Sequence, residues 1–265
     1  MRNKKTRQPW GQHFLHHQEW CRRIARAGCA HTGVNVLEIG PGKGDLTRVL
    51  KETGNRILAV EIDPRFVQRL TKTFQDSVTV LHANILSLTE EEIIQHLGAQ
   101  WSIVANIPFY ITLPIIEKIM SWQSWEQAVL TVQREVGERL VAEPGSRMYG
   151  VVSLYVHIFA KREYLMTIDR TAFSPPPQVD AGVVRLVRRE KPLIAAPDID
   201  DFMDFVHAAF QGRRKMVGNT LARALKKTKA EIHQILIATD IDPKQRPETI
   251  NFDQFYHLYQ LTQRK

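Results

Sequence analysis

Cysteine is almost missing from this chain of 265 residues. Only Cys21 and Cys29 occur, at a spacing that fits no zinc motif, so the expectation is reduced thiols, no disulfide framework and no metal site. Long apolar runs are missing too. None approaches the roughly 18 residues that a membrane span requires, and the basic start from Met1 to Arg7 leads into Gly11-Gln12-His13-Phe14 without the apolar stretch of a signal peptide. A cytoplasmic protein with no membrane partner is therefore expected. No internal repeat or low-complexity tract breaks the pattern. What is present is 43% apolar residues, enough to core one large domain or one domain with a smaller appendage.

The net charge of +8 is unevenly placed. Residues 1–30 hold Arg2, Lys4, Lys5, Arg7, Arg22, Arg23 and Arg26 against Glu19 alone. A second block, Arg213, Arg214, Lys215, Arg223, Lys226, Lys227 and Lys229, contains no acid between Phe205 and Ala230. Either block alone reads equally well as the footprint of a polyanion partner or as a solvated helix face or frayed basic terminus. Two such blocks in one chain favour a polyanion partner, most simply nucleic acid.

From Val34 to Gln133, apolar runs at 34–39, 56–61, 78–82, 101–105 and 128–133 alternate with amphipathic stretches at 46–52, 64–74, 89–97 and 113–120. This alternation predicts an α/β fold: a doubly wound, mostly parallel, Rossmann-like sheet with helices on both faces. After a helical stretch near 150–160, the runs 163–168 and 183–187 read as a closing antiparallel pair of strands. Residues 191–197 look like a linker, and 199–265 has only helical periodicity. The expected division is a domain over 1–190, with a basic arm at 1–30, and a small all-α domain over 198–265.

Two post-strand loops carry chemistry. The first, Gly40-Pro41-Gly42-Lys43-Gly44, lets backbone approach a ligand closely. Glu61 ends the next strand, where a carboxylate can accept both hydroxyls of a ribose. A dinucleotide fingerprint would need glycine at position 45, and Asp45 stands there; the loop spells ExGxGxG from Glu38. The second loop is Asn106-Ile107-Pro108-Phe109, where an amide, a proline and an aromatic follow a buried strand. It reads either as a pocket for a planar, amino-bearing ring or as a helix entry with Asn106 capping and Pro108 starting the helix.

The glycine loop resembles that of class I S-adenosylmethionine-dependent methyltransferases, and Asn106 to Phe109 resembles their amino-methylating NxPY/F motif. Gly11-Gln12-His13-Phe14-Leu15, Phe173-Ser174-Pro175-Pro176-Pro177-Gln178-Val179-Asp180 and Phe210-Gln211-Gly212-Arg213-Arg214-Lys215 extend the likeness over nearly the whole chain. Together they resemble the ribosomal RNA adenine N6-dimethyltransferase family. The last two segments look closer to its KsgA branch than to its Erm branch.

The resemblance implies S-adenosylmethionine as cofactor, with Gln12, His13 and Leu15 over its methionine end, Gly40 and Gly42 beneath it, Glu61 on the ribose, Ile62 against the adenine and Asn84 at the adenine amino group. Asn106 and the Ile107 carbonyl would accept hydrogen bonds from the target amine, Pro108 would aim that carbonyl, and Phe109 and Phe173 would sandwich the flipped base. Arg22, Arg23, Arg213, Arg214 and Lys215 would grip RNA. The family has Asp more often at position 84 and Tyr more often at 109, which implies weaker cofactor affinity and unimpaired catalysis. The implied substrate is a pair of adjacent adenosines near the 3′ end of small-subunit ribosomal RNA, within a pre-30S particle, met by an enzyme that is a monomer off the ribosome.

Overall fold

Five of the apolar runs form parallel strands of one sheet in the computed structural model, which describes residues 12–29, 33–212 and 215–263. They are β2 (Asn35–Ile39), β3 (Ile57–Glu61), β4 (Thr79–His82), β5 (Trp101–Asn106) and β6 (Trp125–Gln133). Short β1 (Phe14–Leu15) precedes them, and β7 (Ala160–Ile168), β8 (Phe173–Ser174) and β9 (Ala181–Arg188) follow. The order of the seven-stranded sheet is β4-β3-β2-β5-β6-β9-β7, with β9 antiparallel to β6, while β1 and β8 pair separately as an antiparallel two-stranded sheet. Strands covered on both faces read as continuous apolar runs, and from Trp101 to Ala105 no residue reaches solvent.

Helices α2 (Asp45–Glu52), α3 (Pro64–Phe74), α4 (Glu90–Leu97) and α5 (Thr112–Ser121) link these strands. Their starts are written locally. Asp63 accepts the Arg65 backbone N–H at 2.9 Å with Pro64 in the first turn, and Thr89 and Glu92 form a reciprocal capping box. Within the basic arm expected over 1–30, of which residues 1–11 and 30 lie outside the described residues, α1 (Gln18–Gly28) buries Cys21, Ile24, Ala25 and Gly28 and leaves Arg22, Arg23 and Arg26 exposed. Its apolar residues recur at helical spacing, and Gly28 permits close packing. A Cβ there would lie 2.4 Å from Val104 Cγ2.

The chain divides into two compact units, residues up to Gly137 with Lys161–Arg188, and Glu138–Ala160 with the residues from Arg189 onward. Helix α6 (Arg134–Val141) crosses that boundary. The second unit holds α7 (Val151–Phe159), α8 (Ile199–Phe210), α9 (Val217–Ala224), α10 (Lys229–Ala238) and α11 (Phe252–Gln263). Phe202, Val206, Leu221, Leu236 and Phe255 form its centre, and Leu154 and Ile158 of α7 pack into the same cluster, which is why Glu138–Ala160 groups with the later helices. The expected linker contributes a core residue of its own, Ile194.

Candidate active site

The sheet register brings the post-strand loops together. Ile39 pairs with Val60 on one side and with Ala105 on the other, and Glu61 pairs with His82. Gly40, Glu61, Asn84 and Asn106 therefore emerge at one edge, beside the point where β2 has β3 on one flank and β5 on the other. Open α/β sheets bind ligands at such a switch point. Gln12, His13, Gly40, Gly42, Glu61, Ile62, Asn84 and Asn106 to Phe109 all line one cavity there.

The glycine loop is held by Glu61, which is 3% exposed. Its Oε2 accepts the Gly42 N–H at 2.9 Å, and its Oε1 accepts the N–H groups of Ile62 and Asp63, also at 2.9 Å. Gly42 has φ +54°, and a Cβ there would lie 2.8 Å from the Phe14 ring, so both backbone angle and space require glycine. Asp63 is fixed in turn by Arg65, whose guanidinium holds the Asp63 carboxyl below its ordinary range. Ile62 is 40% exposed, an apolar surface turned toward the cavity. The Asn84 Oδ1 accepts the Leu86 N–H at 3.1 Å and retains a second lone pair.

Glu38 on β2 borders a smaller cleft beside the same loop, lined also by Leu15, Gly40, Lys43 and Asn106. It is 1% exposed, and neither carboxylate oxygen has a hydrogen-bond partner among the described residues. Burial pushes its carboxyl up to about 8; the neighbouring Thr47 hydroxyl pulls it weakly down, and the Glu61 charge adds a smaller push upward.

On the other side of the cavity, the Asn106 Nδ2 donates to the His13 carbonyl at 3.0 Å, and His13 Nδ1 lies 2.7 Å from the Pro175 carbonyl oxygen. The His13 and Phe109 rings lie 5.8 Å apart at 37°. The Ile107 N–H donates to the Thr131 carbonyl at 3.0 Å, which fixes the turn from the β6 side. The helix-entry reading of this loop holds in part, because Phe109–Ile111 is a 3-10 turn that runs into α5, yet the Asn106 side chain caps nothing.

Leu15 is buried in the core and borders the smaller cleft beside Glu38. Phe173 is 1% exposed, pairs with Leu15 across β1 and β8, and packs into the core of the first unit, so it does not wall the cavity. The alternation of this two-residue strand turns it inward. Arg22 and Arg23 are exposed on α1, with the Arg23 guanidinium 4.9 Å from the Trp20 ring. Lys215 is exposed in the second unit, and Arg213 and Arg214 lie outside the described residues.

Three contributors carry no role in the sequence reading: Glu38 and Phe14, which stand there only as motif positions, and Tyr110, 56% exposed at the cavity with its phenol raised by partial burial and then by the Glu61 charge. A lone acid inside an apolar strand was the readable signal for Glu38. Tyr110 follows Phe109 in a 3-10 turn and leaves no periodic trace. Among the described residues, no cluster of His, Cys, Asp and Glu could hold a metal ion.

Residues 3–264 match the ribosomal RNA adenine dimethylase family. The chain is 35% identical over 257 residues to ribosomal RNA small subunit methyltransferase A of Geobacillus kaustophilus, covering 94% of this chain and 88% of that protein. It is 34% identical over 258 residues to the protein of the same name from Caldanaerobacter subterraneus, covering 96% of each. Among solved structures, a dimethyladenosine transferase from Plasmodium falciparum superposes with a TM-score of 0.78 at 23% identity, covering 93% of this chain and 96% of that one. The 23S rRNA methyltransferase ErmE does so with 0.74 at 24%, covering 93% and 98%. These two share the fold.

Proposed function

Since the chain belongs to the ribosomal RNA adenine dimethylase family, we propose that it transfers methyl groups from S-adenosylmethionine to N6 of two adjacent adenosines near the 3′ end of small-subunit ribosomal RNA. The relatives that span nearly all of the chain carry a small-subunit name, which favours this target over the large subunit. The reading includes a pre-30S substrate, a cytoplasmic location, a protein that is monomeric off the particle, a methyl-transfer region over 1–190 and an RNA-binding region over 198–265.

The residues present fit the cofactor. An unpartnered buried carboxylate at Glu38 suits the ammonium of the methionine end, and Glu61, locked by three backbone N–H groups, keeps an acceptor site on Oε2 for a ribose hydroxyl. Ile62 offers an apolar face to an adenine, and Asn84 an amide to its edge. When bound, S-adenosylmethionine supplies a methyl group already activated by its sulfonium, so no strong base is needed.

What remains for the protein is to position the target amine. The observation that carries the reading is the Asn106 to His13 hydrogen bond: with Nδ2 donated, Asn106 Oδ1 is left as an acceptor at the cavity. Together with the Ile107 carbonyl it can take both N–H groups of an adenine amine and draw the nitrogen lone pair out of conjugation. Positioning of this kind can lower a barrier by about 7–11 kcal/mol. Phe109 supplies a stacking face, a contact worth about 1–3 kcal/mol, to a base flipped out of its helix. Phe173 supports this arrangement from within the core, pinning β1 and so the His13 carbonyl.

Mass-spectrometric mapping of unmodified small-subunit particles after incubation with the protein and S-adenosylmethionine tests the reading. Two adjacent dimethyladenosines near the RNA 3′ end are expected. Modification confined to large-subunit RNA, or none at all, overturns it.

A further inference from the structure

The second unit has a cleft of its own, of ≈ 290 Å³, between the start of α9, one face of α10 and the turn Asp242–Lys244. We infer that it seats one unpaired nucleotide of the RNA substrate, the base on its floor and the adjoining phosphates on its rim. The inference rests on the RNA-directed function proposed above and adds a contact to it.

The floor is apolar. Leu236 is fully buried, Pro243 lies beside it, and Met216 is 42% exposed at the wall. Gly218 keeps the floor low, because a Cβ there would stand 3.3 Å from Leu236 Cδ1 and 3.5 Å from the Pro243 carbonyl oxygen. Such a surface offers nothing to a bare phosphate. It suits a flat ring, and a thioether is a favourable neighbour for an aromatic system.

The rim is polar and cationic. Lys229 and Lys244 are exposed and form no ion pair among the described residues, and neither the Asn219 amide nor the His233 imidazole makes a side-chain hydrogen bond there. The one acid, Asp242, turns its Oδ1 to the backbone N–H of Lys244 at 2.9 Å. Lys229 opens α10, where a cation opposes the helix dipole, so the helix gains nothing from it. Met216 directly follows Lys215, within the stretch from Phe205 to Ala230 that contains no acid. An apolar floor between lysines that form no ion pair is the pattern by which proteins hold single-stranded nucleic acid. Asn219 and His233 can reach base edges.

The test uses the full chain and a 4-thiouridine-substituted single-stranded RNA, with binding read by fluorescence anisotropy over a series of salt concentrations. Lys229→Ser with Lys244→Ser is expected to weaken binding roughly fivefold to tenfold and to reduce the salt slope by about 1.4, for two phosphate contacts on a single strand. Thermal unfolding and the thermal shift given by S-adenosylmethionine should not change, because both lysines are exposed and the cofactor cavity lies in the other unit. Cross-linking through the thiouridine should label the segment 216–244. A wild-type salt slope in the double variant, cross-links confined to other segments, or no binding of single-stranded RNA by the wild type would each overturn the cleft assignment. Wild-type protein that cross-links through this segment yet methylates no RNA would instead overturn the proposed reaction and leave the cleft standing.

Discussion

The two halves of the proposed active-site cavity are built differently. On the cofactor side, three backbone N–H groups converge on one buried carboxylate, and a positive-φ glycine sits where no side chain fits. On the base side, Asn106 is fixed by a single hydrogen bond to His13, Phe109 leans on one tilted ring, and Tyr110 stands largely in solvent. In the proposed reading, a small diffusible cofactor meets a preformed site, whereas a base arriving on a bulky RNA needs an open wall, and rigidity follows the size of the guest.

The largest effect that would test this contrast is at Asn106. Asn106→Ala should lower the rate of methyl transfer on the order of 10²–10³-fold, as removal of a preorganised polar group at a reacting centre does. Calorimetric affinity for S-adenosylmethionine should barely change; a parallel collapse of affinity would show that the two halves act as one. Glu61→Gln probes the opposite side. It places an amide among donors arranged for a carboxylate, so cofactor affinity should fall roughly tenfold to a hundredfold, the range for charge-assisted hydrogen bonds, while turnover at saturating cofactor persists.

Glu38 sharpens the comparison through pH. Its carboxyl sits at about 8 in the folded chain against an ordinary 4.5, so the folded form keeps the proton while the unfolded form releases it. The unfolded state therefore binds fewer protons across that interval, and stability should fall as pH rises from about 4.5 to about 8, then level off. Glu38→Gln should flatten that part of a thermal-unfolding profile and raise the midpoint at pH 8. A cation bound beside Glu38 favours its ionised form, so S-adenosylmethionine binding at neutral pH should release up to about one proton, detectable as a buffer dependence of the binding enthalpy. A buffer dependence that is the same in Glu38→Gln would remove Glu38 from the cofactor side.

The smallest effect is expected at the rim. Asn84→Asp should tighten cofactor binding only a few-fold, because a carboxylate accepts a stronger hydrogen bond than an amide at an exposed position. A gain confined to affinity would confirm that the rim and the base wall act separately.

The strands and connecting helices were largely legible because burial on both faces writes itself as continuous apolar runs and helix starts carry caps such as Asp63 and Thr89. Helix α1 was hidden behind its arginines, although Cys21, Ile24, Ala25 and Gly28 mark its inner face. Phe173 misled for a related reason: motif position places a residue along the chain, but the alternation of a short strand decides which way its ring turns. Helix α6 and the affinity of residues 138–160 for the later helices left no signal that composition or spacing could carry.

By itself, the sequence determined the residue types and their loops: glycines after the first parallel strand, a carboxylate after the second, an amide, proline and aromatic after the fourth. Those follow from local rules of backbone freedom and periodicity. Only the tertiary structure decided that strand register sets Gly40 between Glu61 and Asn106, that the His13 carbonyl claims one end of the Asn106 amide and leaves the other as acceptor, and that Glu38 lies buried without a partner. Each of these depends on groups far apart in the chain meeting within a hydrogen bond's reach, and on water being excluded where they meet.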